Sequence, residues 1–155
     1  VATVYSDQLT SIRSNRRVKP NEAGGGRLMP IFWNFASLPA GNIADVLVCG
    51  IIPKGARVLY GLECHSALSS GAGTATGSYG TYLIGSDGVT LGAVDSAARF
   101  LAASSFEAAG STVLANTIAL GHGFEATADV FLVCVNSVEA FATAGQVTGF
   151  LALAL

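Results

Sequence analysis

Apolar positions in this chain gather in short runs broken by glycine, serine, proline and aspartate. The clearest alternation is in RVLYGLECHSAL (57–68). There Val58, Tyr60, Leu62 and Cys64 fall on one face, and Arg57, Glu63 and His65 on the other. A two-residue period predicts a half-buried strand. The runs ADVLVCGII (44–52), DVFLVCVN (129–136) and VTGFLALAL (147–155) are mostly apolar and read as strands, the last of them buried. RLMPIFWNF (27–35) opens the series, and Pro30 inside it marks a sheet edge or a bulge, because proline cannot donate to a ladder. YGTYLIG (79–85) is the next strand, closed by a hairpin-type turn at Ser86–Gly88. VTLGAV (89–94) is a short strand, and STVLANTIAL (111–120) a further one.

Between these runs, PKG (53–55) makes a turn, SSGAGTATGSYG (69–80) an exposed loop, and GHGFEATA (121–128) another loop. VEAFATAGQ (138–146) is a connection. DSAARFLAASSF (95–106) has the best helix propensity in the chain and is expected to form one or two helical turns. About eight short strands at regular spacing predict an all-β fold, a β-sandwich or jelly-roll body. No strand–helix alternation supports a parallel α/β fold, and no internal repeat is seen.

Composition changes this picture in one respect. Charged residues are 12% of the 155, against about 25% in an ordinary soluble domain. Hydrophobic residues are 51%, and the mean hydropathy is +0.55. So little polar surface implies that much of the body is covered by other subunits or by a partner. A membrane span is not indicated, since a spanning helix needs about 20 apolar residues and no run approaches that. The first residues have no long apolar core, so no signal peptide is expected. The leading Val fits removal of an initiator Met or of a pro-segment.

Charge is unevenly placed. Residues 1–27 hold Arg13, Arg16, Arg17, Lys19 and Arg27 against Asp7 and Glu22, a net +3. The remainder holds three basic residues against eight acids, a net −5. The chain thus divides into an extended N-terminal arm, 1–26, and a body, 27–155. The arm is expected to cross onto a neighbouring chain. Val4, Tyr5, Leu9 and Ile12 serve as apolar anchors, and Arg13, Arg16, Arg17 and Lys19 as charged ones. Nucleic acid is a poor partner for a chain whose pI is about 5.5.

Catalytic patterns are missing. The three cysteines, Cys49, Cys64 and Cys134, lie in apolar strand segments without a CxxC, and read as buried free thiols. Cys64 and His65 are adjacent in a strand, so they point to opposite faces and cannot act on one atom. His122, in GHG, is a turn residue. No GxSxG, HExxH or phosphate-binding loop is present, and carboxylates are scattered. The expectation is a protein that is not an enzyme and has no cofactor and no metal.

YSDQLTSIRS near the start, IPKGARVLYG in the middle and TIALGHGFEATADVFLVCV late in the chain resemble the small head-associated decoration, or cement, proteins of tailed bacteriophages. The resemblance covers most of the chain in the same order, and its motifs are structural. It implies an extended arm before a β-sandwich or jelly-roll body. It also implies a homotrimer on the outer capsid surface, with the major capsid protein as partner. Tyr5 to Ser14 would then lie in the capsid-facing arm, and Ile52 to Val58 at a turn between two body strands. Two other roles fit the same pattern. One is a tail or connector component. The other is a glycan- or receptor-binding jelly roll with Trp33, Tyr79 and Tyr82 as stacking residues.

Overall fold

A computed structural model describes residues 3–5, 28–36, 38, 46–68, 75–136 and 145–155. They form nine strands: β1 (Thr3–Tyr5), β2 (Leu28–Phe35), β3 (Val46–Ile52), β4 (Arg57–His65), β5 (Thr76–Ile84), β6 (Leu91–Ser105), β7 (Gly110–Leu114), β8 (Val130–Asn136) and β9 (Val147–Ala154). Among the described residues the only helix is a single 3-10 turn, Ile118–Leu120.

Strand pairing follows a nested order. β5 pairs with β6, β4 with β7, β3 with β8 and β2 with β9, all antiparallel. From β2 to β9 the chain is one long hairpin whose tip is the β5–β6 turn. There Gly85 N–H donates to the Thr90 carbonyl, and the exposed Asp87 carboxylate accepts from the N–H groups of Val89 and Thr90. These bonds hold the Asp87 carboxyl below its usual range. Wrapping the long hairpin adds two more pairings, β4 with β9 and β5 with β8. The result is a first sheet in the order β1-β3-β8-β5-β6 and a second in the order β2-β9-β4-β7. This double-sheet winding is a jelly roll, as the strand count and spacing predict. β1 stands outside the nest and joins the first sheet parallel to β3.

The core lies between the sheets. Trp33, Phe35, Leu47, Tyr79, Phe100 and Leu132 are among its buried members. Pro30 sits on β2, an edge strand, the place in a sheet where a residue without an N–H is tolerated. Leu151 and Leu153 of β9 fill the subunit's own core, while Leu155 is exposed.

Four expectations about the strands and loops need correction. Residues 95–106 are not helical: 95–105 belong to the fifteen-residue strand β6, which also absorbs most of VTLGAV, and Phe106 follows it. Pairing with β5 overrides the helix propensity of its alanines, and Phe100, Leu101 and Phe106 are buried. The strand predicted over 111–120 ends at Leu114. Ala115 adopts a positive φ of 53°, and Thr117 caps the 3-10 turn by accepting from Leu120 N–H. In the loop predicted over 69–80, residues 69–74 lie outside those described, but Thr76 onward is strand and Gly77–Tyr79 are buried. Finally, a bulge between Val58 and Tyr60 reverses the faces of β4. Val58 faces the core, but beyond the bulge Gly61, Glu63 and His65 point inward and Tyr60, Leu62 and Cys64 outward.

A candidate docking face on the second sheet

The outer face of the second sheet follows from its register. Leu28 and Ala154 lie opposite each other and reach Arg57 on β4. The next row is Pro30, Ala152 and Tyr60. The third crosses all four strands: Phe32, Phe150, Leu62 and Val113. The last is polar and uncharged: Asn34, Thr148, Cys64 and Ser111. Arg57 is the one charge in these rows, and it pairs at the rim with Glu125 at 3.4 Å.

An antiparallel sheet with one face on the core normally turns a polar face to water. Here Leu28 is 68% exposed, Tyr60 54% and Phe32 50%. The rings interlock: Phe150 lies 6.1 Å from Phe32 and 5.8 Å, edge on, from Tyr60. Aromatic enrichment with charge depletion is the signature of an interface centre. The outer face of the first sheet is also apolar, but Val48, Phe131 and Val133 there are closed to solvent. The second sheet is therefore the open one.

The signal for this face was present in the sequence, in β2 and β9, whose apolar residues occupy both faces instead of alternating. It reads as burial until register shows that half of those residues meet water. The anchors read from the arm are placed differently. Val4 and Tyr5 fall in β1, and Leu9, Ile12, Arg13, Arg16, Arg17 and Lys19 lie outside the described residues.

The reversed face of β4 also creates a buried polar pair. Glu63 Oε1 lies 2.8 Å from His65 Nδ1, and His65 Nε2–H donates to the Ala108 carbonyl at 3.0 Å. Both side chains are sealed from solvent. Since Nε2 is committed as a donor, the bond to Glu63 holds one proton, on one partner or the other, and the pair is neutral as a unit. Burial raises the Glu63 carboxyl above its usual range, and the charge of and bond to His65 oppose that rise. Tyr79 and the thiols Cys49 and Cys134 lie near it, each pushed upward chiefly by burial.

Cys49 and Cys134 are buried thiols outside any disulfide, as expected, whereas Cys64 is half-buried on the outer face. His122 is a turn residue whose Nδ1–H donates to the Leu59 carbonyl at 2.6 Å. Trp33 and Tyr79 stack on each other in the core, with centroids 5.7 Å apart, and so are closed to a glycan.

No protein-family model matches the chain, and no curated protein matches it in sequence. Solved structures do match its fold. A chain from the capsid of Ralstonia phage GP4 aligns with a TM-score of 0.74 and 16% identity, over 98% of this chain and 97% of that one. A chain from the capsid asymmetric unit of cyanophage Pam1 aligns with a TM-score of 0.62 and 21% identity, over 90% of this chain and 93% of that one. These structural neighbours are phage capsid proteins, nearly equal to this chain in length. At such identities the likeness establishes a shared fold.

Proposed function

We propose that this chain is a structural virion protein that binds the outer surface of a phage capsid and stabilises the shell. It acts as a decoration protein and catalyses no reaction. One observation carries this most directly: a jelly roll shared with chains of phage capsids turns an open, nearly charge-free aromatic face to solvent. Decoration requires a surface that gains by being covered. Apolar burial contributes roughly 25 cal/mol per Å², offset by the ordering and association costs of docking. Repetition over many equivalent sites converts a modest gain per copy into resistance to internal pressure. The resemblance noted in the sequence adds a homotrimeric state and the major capsid protein as partner.

The first experiment is a count of copies in purified virions against the major capsid protein. Near-equal molar amounts are expected. A few copies per particle would assign the chain to a tail or connector, and absence from virions would reject the structural role. Binding to undecorated capsids then separates the two gripping elements. Phe32→Ser with Tyr60→Ser is expected to lower occupancy by ten-fold or more, as loss of central aromatics does at about 1–2 kcal/mol each. Deleting residues 1–26 is expected to leave a folded body that no longer holds capsids. Undiminished binding by both variants would remove the basis for this assignment.

A further inference from the structure

The two sheets present four edges once β1 is set aside: β3 and β6 in the first sheet, β2 and β7 in the second. An unpaired edge is a template for another strand, and proteins blunt it with proline, charge, bulges or shortness. β2 carries Pro30, β7 has only five residues, and β6 departs repeatedly from the register of β5. β3 is different. Its sequence, VLVCGII, contains no proline and no charge. What covers it is β1, in parallel, with Thr3 opposite Val46, Val4 opposite Leu47 and Tyr5 opposite Val48. The irregularity of β3 between Val48 and Gly50 falls where this short ladder stops. β3 thus offers a slot three residues long.

The donor of that slot is separated from the body by a long stretch of sequence. Residues 6–27, twenty-two in all, separate β1 from β2. Yet β2 packs beside β3 on the same flank of the sandwich. Connections between neighbouring elements commonly take about 4–6 residues. Twenty-two extended residues reach ~75 Å, well past a body on the order of 35 Å across. These same residues carry the net +3, while 28–155 carry −5. Two bodies of like charge repel, and a basic connector running from one to the other offsets that repulsion. A connector folded back on its own body leaves the seam without it. The three backbone pairs are identical whether the strand comes from the same chain or from another.

We propose that β1 is an exchanged strand: in the oligomer, Thr3–Tyr5 of one copy completes the first sheet of a second copy by pairing with its Val46–Val48. The partner is another copy of this chain, so the inference stands or falls without any capsid.

The test follows isotopes through a photo-crosslink. Full-length chain of natural isotope content, with benzoylphenylalanine in place of Tyr5, is co-refolded with an equal amount of isotopically heavy wild-type chain. The mixture is irradiated and digested. Exchange gives crosslinked peptides from the Val46–Ile52 region in heavy and light forms in equal amounts. Crosslinks to light peptide alone mean that β1 stays on its own body, and overturn the proposal. A second variant, with the probe at Thr3, guards against a local failure at position 5, and circular dichroism verifies the fold of both. Absence of a β3 crosslink from either position overturns the proposal, as does a monomer by light scattering across the concentrations used.

Discussion

Gly149 shows how closely the second sheet is fitted. It lies between Trp33 and Glu63 in one inward row, and a Cβ there would come 2.4 Å from Trp33 Cζ2 and 2.6 Å from the Leu62 carbonyl. The indole occupies the space a side chain would take. Gly149→Ala is expected to destabilise by about 1–3 kcal/mol through overpacking, read as a lower urea midpoint with altered Trp33 fluorescence. Beside it, the Glu63–His65 pair sets a pH dependence. Because burial raises the Glu63 carboxyl, the folded chain holds that proton more tightly than the unfolded chain does. Its contribution is fully present below the ordinary value of 4.5 and is lost as pH rises through the folded pKa. Glu63→Gln, which can donate to neutral His65, lacks this loss. Its stability relative to wild type should therefore improve steadily as pH is raised above 4.5, in denaturant titrations at a series of pH values. His65→Ala leaves the carboxyl buried without its partner and is expected to cost roughly 3–5 kcal/mol.

At the scale of elements, the outer rows of β2, β9, β4 and β7 make a face whose exposed members can be changed without harm to the core. Phe32→Ser should shift stability by no more than about 0.5–1 kcal/mol, because half of the ring already meets water. The same change should reduce self-association or capsid binding, which sedimentation and capsid pull-down would separate. Most of these elements were legible in the sequence. β3, β8 and β9 announced themselves as apolar runs, and Pro30 marked an edge. What escaped was set by partners distant in the chain. The extra residue in β4 leaves the alternation of letters intact while moving Glu63 and His65 inside. In β6, the alanines favour a helix locally, but β5 supplies the ladder that decides the matter. The docking face could not be read at all until register placed Phe32, Phe150, Leu62 and Val113 in one line.

Across the whole molecule, the nested order makes folding depend on pairings far apart in the chain. β9 lies between β2 and β4 in the second sheet, so that sheet cannot form without the last strand. Truncation before Val147 is expected to abolish cooperative unfolding, seen as the loss of a sigmoidal transition in circular dichroism. Refolding of the complete body should be slow, in milliseconds to seconds, as topologies rich in distant contacts are. The same nesting places Leu28 directly opposite Ala154, one strand spacing of about 4.8 Å apart in the ladder, while the Ser86–Gly88 turn lies at the hairpin's far tip. The body can therefore be circularly permuted. A short glycine bridge from Leu155 to Leu28, with new termini opened at the tip, would keep every pairing from β2 to β9. A foreign peptide carried on those new termini would extend from the tip of the body instead of from the rim of its aromatic face, which makes the turn the natural port for display.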